Sequence, residues 1–310
     1  MAKEKILVIV GPTASGKSDL GVKLAKKFGG GIISADSRQV YKGLDVGTGK
    51  ITKKEMGGIP HHLLDVANPK KRFSVSDFLT LTNQAIAKIV ESDKLPVVVG
   101  GTGFYIDALT GTVTFPEVPP NPALRKKLEK KSVVELFKLL GKKDPERAKT
   151  IDRYNKVRLI RALEIINTLG HVPMYKIGQP GRLANLRYEF IYIGLKPDKK
   201  ESERRIYERL LKRLPGMIRE AKKLWSKGLS YKRMNELGLE YRYLALFLQN
   251  KLNKEQLINK LNIAIRQYAK RQMTWFKRNK KIKWFTLSAV EGFEPKQYRE
   301  IEKYTRNMLR

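Results

Sequence analysis

Gly11-Pro12-Thr13-Ala14-Ser15-Gly16-Lys17-Ser18 follows the apolar, β-branched run Ile6-Leu7-Val8-Ile9-Val10 and opens a segment, Lys17 to Phe28, with helical periodicity. A G-x-x-x-x-G-K-S stretch between a buried-type strand and a helix is the context a phosphate-binding loop requires. Its glycines let the backbone wrap a polyphosphate, so that successive N–H groups and a helix N-terminus face the anion. Lys17 adds a mobile positive charge, and the Ser18 hydroxyl is placed to ligate Mg²⁺. Gly11, Pro12, Thr13, Ala14, Ser15, Gly16, Lys17 and Ser18 are therefore the candidate phosphate-binding residues. The loop alone does not distinguish a nucleotide from another phosphate ester.

Outward from this loop, strand and helix patterns alternate. Gly29-Gly30-Gly31 reads as a turn and Ile32-Ile33-Ser34-Ala35 as a second strand. Asp36-Ser37-Arg38-Gln39-Val40-Tyr41 lies just past its tip, where ligands sit in open α/β sheets. Residues 42–72, rich in Gly, Lys and Pro, read as a long functional loop. Ser76 or Ser74 caps a helix over about 77–91, and Pro96-Val97-Val98-Val99 forms a third strand running into Gly100-Gly101-Thr102-Gly103. Repeated βα units imply a parallel sheet.

At Pro116, Pro119, Pro120 and Pro122 the composition shifts. Segments 123–140 and 156–169 have helical periodicity, basic on one side and leucine-rich on the other, and 174–186 reads as loop. Tyr188 to Leu195 returns to strand character and would rejoin the sheet. Residues 198–278 read as helical with breaks near Pro215, Gly228 and Gly238; Lys281 to Phe285 is a last strand and 295–309 a terminal helix. The expected architecture is α/β: a P-loop NTPase-like parallel core over 1–115, an all-helical insertion over 116–186, and a completion of the core with a helical C-terminal part over 187–310.

The charge is unusual. Sixty-four Lys and Arg against 30 Asp and Glu give +34, of which +19 falls in 196–310, +9 in 116–190 and only +6 in 1–115. An excess outside the phosphate-loop region suits a protein that grips a large polyanion, with nucleic acid favoured over an acidic membrane surface. No apolar run approaches the ~20 residues that span a bilayer. The absence of cysteine excludes disulfides, a thiol nucleophile and a zinc ribbon. With no signal-peptide pattern at Met1-Ala2-Lys3-Glu4-Lys5, a cytoplasmic protein is expected.

Asp36, among Ser34, Ser37, Arg38 and Gln39, belongs to a polar cluster suited to a base or sugar, although a turn-capping role would also place an Asp there. A hydrolytic P-loop enzyme would carry an acid at the end of the Pro96–Val99 run. This chain has Gly100-Gly101-Thr102-Gly103 instead, whose small residues allow close backbone approach to a ligand. Arg158 and Arg161, at i and i+3, share one helical face. His61-His62 with Asp65 lacks a third ligand at useful spacing and reads as structural.

Taken jointly, these stretches resemble the tRNA dimethylallyltransferases of the IPP transferase family. The resemblance rests on Gly11–Ser18, Ser34–Tyr41, Gly47-Thr48-Gly49-Lys50, Pro60–Asp65, Gly100–Tyr105, Arg158–Glu164 and Arg266–Phe276, standing in the family's order over about 6–285. Two departures stand out: Gly49 in place of alanine, and Gly238-Leu239-Glu240-Tyr241 in place of Gly-Tyr-[Lys/Arg]-Glu, to which no role is carried over. The resemblance implies transfer of a dimethylallyl group from dimethylallyl diphosphate to N6 of the adenine immediately 3′ of a tRNA anticodon, in tRNAs that read codons beginning with U. It implies Asp36 as the base, Thr102 as the partner of the leaving oxygen, Lys17 as a neutralising charge and Mg²⁺ on Ser18. It also implies tRNA contacts from Asp36, Ser37, Arg38, Gln39, Thr102, Arg125, Val157, Arg158, Leu159, Ile160 and Arg161. The side chains of Tyr268, Met273, Trp275 and Phe276 are expected in the core, and the protein is expected to be a monomer. Two rivals stay open: an isopentenyltransferase acting on free adenine nucleotides, and a nucleic-acid-binding NTPase switch.

Overall fold

The computed structural model describes residues 3–113, 116, 118–173, 187–287 and 294–310. Strand β1 (Glu4–Val10) has its last five residues wholly buried. A parallel strand covered on both faces reads as such a continuous apolar run, each large side chain contributing about 1.5–3 kcal/mol. Helix α1 (Lys17–Phe28) follows the loop, and β2 (Gly30–Ser34) begins earlier than its apolar residues suggest. Only Gly29, at φ +65°, makes the turn; a side chain at Gly30 would meet the Leu95 carbonyl at 2.8 Å.

The expected loop over 42–72 contains two short elements. Helix α2 (Lys53–Met56) starts at a capping box between Thr52 and Glu55, and β3 (His61–His62) pairs with Ile32 and Ile33 at the sheet edge. A two-residue strand leaves no periodicity to read. Ser74, rather than Ser76, caps α3 (Val75–Val90), accepting from the Asp77 amide. β4 (Leu95–Gly100) and α4 (Gly103–Leu109) follow.

Four helices come next: α5 (Pro122–Glu129), α6 (Val133–Lys143), α7 (Pro145–Thr150) and α8 (Lys156–Leu169). The single helix expected over 123–140 is two, because Ser132 and Glu135 form a capping box that restarts the chain. These helices enclose their own core of Leu128, Leu136, Leu140, Leu159, Ile160 and Leu163. The expected loop over 174–186 lies outside the described residues.

The remainder runs β5 (Tyr188–Pro197), α9 (Lys199–Ser226), α10 (Tyr231–Leu237), α11 (Leu239–Leu248), α12 (Lys254–Phe276), β6 (Lys283–Leu287) and α13 (Pro295–Leu309). The break expected near Pro215 does not occur: α9 passes through it. An internal proline costs about 3 kcal/mol. Burial of Leu210, Leu214, Met217, Ala221 and Leu224 along one stripe offsets that cost.

Among the described residues, six strands form one all-parallel sheet in the order β3-β2-β4-β1-β5-β6. Its register decides where the loops meet. Val10 lies beside Gly100 and Gly194, and Ser34 beside Val99, so the loops after β1, β2 and β4 leave the same carboxyl edge. The chain divides into two compact units, Met1–Thr110 with Asn185–Arg310, and Gly111–Ala184, against an expected insertion over 116–186.

Candidate active site

The phosphate loop has the conformation its sequence demands. Gly16 is left-handed at φ 82°, Ala14 lies at φ 60°, and a side chain at Gly11 would strike the Leu195 carbonyl at 2.7 Å. Gly16 caps α1 without a side-chain hydrogen bond, so its cap leaves the first-turn amides to other partners. The Ser15 hydroxyl is buried and makes no hydrogen bond among the described residues. A buried polar group without a partner is costly, and inside an amide-lined loop its natural partner is an anionic oxygen. Lys17 donates to the Pro12 carbonyl at 2.6 Å. Burial lowers its pKa to about 8, the Asp36 charge working against that shift and Arg209 adding to it.

Asp36 and Thr102, 66 positions apart in the chain, are brought together by two hydrogen bonds. The Thr102 amide donates to the Ala35 carbonyl at 3.2 Å, and the Ser37 amide donates to Thr102 Oγ1 at 3.0 Å. The carboxylate of Asp36 is set by its own turn, Oδ1 accepting from the Arg38 amide at 2.8 Å and the Gln39 amide at 3.3 Å. The turn-capping role thus coexists with a place beside the phosphate loop. Thr102 stands at the N-cap position of α4 but makes no capping bond. The neighbouring glycines make room for the protein's own groups. A Cβ at Gly100 would lie 2.2 Å from the Ala35 carbonyl oxygen, one at Gly101 would strike Gln272, and one at Gly103 would strike Trp275.

Several site residues escaped the sequence reading. A cleft against Thr13 and Ala14 is lined by Arg209, Arg213 and Met217 of α9 and Glu240 of α11. Arg209 donates to the Gly49 carbonyl at 3.3 Å, and Arg213 to the carbonyls of Val46 and Gly47. Burial, then the charge of Arg209, lowers the Arg213 pKa to about 10. Burial pushes the Glu240 carboxyl up to about 7, with Asp36 adding to the rise and the two arginines opposing it. Gly49 lies at φ +61°, where glycine is favoured, and a Cβ there would meet the end of the Arg209 side chain. The i, i+4 spacing of Arg209 and Arg213 was the available signal, masked by the many other cations of α9. Tyr268, expected in the core, is half-buried beside this site; burial and then the Asp36 charge raise its pKa, and its hydroxyl bonds Thr102. Phe276 is core as expected, while Trp275 is half-buried and donates to Asp107 at 2.8 Å.

Ser18 is exposed on the first turn of α1 and shares a small cleft with Ser34, Gln39 and His61. No group of three or more His, Cys, Asp or Glu converges among the described residues. A divalent ion here would depend on the Ser18 hydroxyl, with ligand oxygens and water completing its shell, which is how Mg²⁺ is usually held beside phosphates. His61 Nδ1 lies 2.8 Å from the Ile59 carbonyl, and burial lowers the pKa of both His61 and His62, in keeping with their structural reading.

The helical unit treats its expected RNA contacts unequally. Val157 (61% exposed) and Arg158 stand on the surface of α8, whereas Leu159 and Ile160 are buried in that unit's core. On this helix the side chains of Leu159 and Ile160 face inward. Arg125 grips the buried Glu164 with two bonds of 2.7 Å, and Arg161 donates to the Val118 carbonyl at 2.8 Å while pairing with Glu164 at 3.5 Å. Both guanidinium groups thus help hold the unit together, while about a third of each side chain stays exposed (36% and 34%). Ser37, Arg38 and Gln39, in the other unit, are half-buried around the Asp36 turn.

A parallel α/β sheet with a phosphate loop after β1, an acid past the tip of β2 and a threonine past the tip of β4 defines a P-loop-like enzyme fold with a site suited to a phosphate ester. A family model described as IPP transferase matches residues 39–279, and one described as isopentenyl transferase matches 4–71. The chain belongs to the IPP transferase family. It is 38% identical over 312 residues to the tRNA dimethylallyltransferase of Geobacillus kaustophilus, covering 99% of this chain and 98% of that one. It is 41% identical over 277 residues to tRNA dimethylallyltransferase 1 of Geotalea uraniireducens, covering 88% of each. The solved tRNA isopentenylpyrophosphate transferase of Bacillus halodurans superposes with a TM-score of 0.73 at 36% identity, over 99% of this chain and 97% of that one. A eukaryotic dimethylallyltransferase solved acting on tRNA gives 0.76 at 26% identity, over 91% and 74%.

Proposed function

We propose that this chain transfers a dimethylallyl group from dimethylallyl diphosphate to the exocyclic N6 of the adenine immediately 3′ of a tRNA anticodon, releasing diphosphate. The observation that carries the reading is the pair of hydrogen bonds that join Thr102 to Ala35 and Ser37, the residues flanking Asp36. In this mechanism the allylic C–O bond breaks with its electron pair leaving on the diphosphate, the N6 lone pair forms the new C–N bond, and one N6 proton passes to Asp36. The loop amides and Lys17 hold the diphosphate, and Thr102 Oγ1 is the hydrogen-bond donor to the departing bridging oxygen. Ser18 would hold a Mg²⁺ ion, which supplies neutralisation of the leaving group's charge. An exocyclic amine is a poor nucleophile, so orientation of the adenine accounts for much of the acceleration. The base must leave its stack to reach the site, which costs a few kcal/mol, less in a loop than in a duplex.

No helix among the described residues is long and apolar enough to cross a membrane. The basic charge outside 1–115 favours tRNA over a free nucleotide as acceptor. Incubating the protein with dimethylallyl diphosphate and either unmodified tRNA or AMP, followed by mass spectrometry of the nucleosides, tests the assignment. Dimethylallyladenosine in the tRNA is expected. Prenylated AMP with unchanged tRNA would overturn it in favour of the nucleotide-acting rival.

A further inference from the structure

Gln272 has no part in the mechanism above, yet its side chain joins the two loops on which that mechanism depends. It is 6% exposed on α12. Its Oε1 accepts the Thr13 amide of the phosphate loop at 2.8 Å, and its Nε2 donates to the Gly101 carbonyl at 2.9 Å. Gly101 precedes Thr102, and a Cβ there would come within 2.2 Å of Nε2, so the bridge and the glycine require each other. A planar amide offers one acceptor and two donors in fixed geometry, which lets it satisfy an N–H on one side and a C=O on the other. The bridge reaches across 259 positions to Thr13 and 171 to Gly101.

We propose that Gln272 is a positioning residue that sets the distance between the diphosphate cradle and Thr102. The proposal rests on the prenyl-transfer reading above. Diphosphate held by 14–18 and a leaving oxygen met by Thr102 belong to one substrate, so the two loops must keep a common register. Displacement of reacting groups by about 1 Å can cost ~10² in rate. The Thr13 amide, being engaged by Gln272, is not among the donors left for the ligand.

Two variants test the proposal. Gln272→Met keeps the volume and removes both bonds; Gln272→Glu keeps an acceptor for Thr13 and withdraws the donor from Gly101. Turnover per active site, counted by single-turnover release of diphosphate, is expected to fall by about 10²-fold in Gln272→Met and by at least ~10-fold in Gln272→Glu. The dissociation constants for inorganic diphosphate and for tRNA are expected to stay within about threefold of the wild type. A merely structural role would lower the count of active sites and the melting temperature while leaving turnover per site intact. Turnover per site within twofold of the wild type in either variant overturns the proposal, and Gln272→Glu decides alone if the methionine variant does not fold. Lack of transfer by the wild-type chain would instead sink the functional reading and the proposal with it.

Discussion

Asp36 carries the sharpest test at the level of one side chain. Replacing it with alanine removes the proposed proton acceptor, and with it the acceptor of the Arg38 and Gln39 amides, while leaving the phosphate loop in place. We expect turnover to fall by at least ~10² with tRNA affinity roughly intact, as read by single-turnover kinetics beside a filter-binding measurement. Near-normal turnover would remove Asp36 from the base role. Lys17 gives a pH signature. Its pKa near 8 in the free site means the ammonium form predominates below that pH, and an anionic ligand binds that form better. Diphosphate affinity should hold up to about pH 8 and then weaken toward tenfold per pH unit, seen by calorimetry across about pH 7 to 9.5. A flat profile would mean that Lys17 does not meet the ligand. Both residues were legible from the chain because each belongs to a contiguous motif. Arg209, Arg213, Glu240 and Tyr268 were not, because their place at the site comes from packing between segments far apart in sequence.

Helices and strands show a similar division, with a different cause. The main strands and most helices follow from apolar runs, caps and glycines; the errors fall where packing outweighs local preference. Helix α9 continues through Pro215 because its apolar stripe is buried, and β3 exists only because β2 offers it an edge. Arg125 of α5 and Arg161 of α8, expected from family resemblance to touch RNA, both close around Glu164, whose side chain is 1% exposed. Burial alone would raise the Glu164 pKa, but the Arg125 hydrogen bonds and the Asn121 amide together hold it below the ordinary value. We predict that Arg125→Ala destabilises the helical unit by about 3 kcal/mol, toward the low end for a broken buried pair because the guanidinium is partly solvated. Thermal unfolding should show a lowered transition. An unchanged transition with weakened tRNA binding would restore Arg125 to the RNA surface.

For the molecule as a whole, charge is the dominant property. A surplus of +34 concentrated outside 1–115 makes association with tRNA an electrostatic event. Binding should weaken by several orders of magnitude between about 50 and 200 mM salt, with a linear log–log slope that counts the phosphates neutralised. A flat response would assign the charge to something other than RNA. Each of the two compact units has its own core, and both are basic.

The sequence alone was enough for the parallel α/β class and the phosphate-loop segment, and it singled out Asp36, Thr102 and a helical stretch after Pro116, since each is written in a short window through periodicity or fixed spacing. Three-dimensional packing alone revealed the order of the strands, the bridge made by Gln272, the arginine and glutamate cluster facing Thr13, and the burial of Leu159 and Ile160. Those features arise from side chains meeting across long stretches of chain. No local pattern encodes such a meeting, because it depends on how every intervening segment folds.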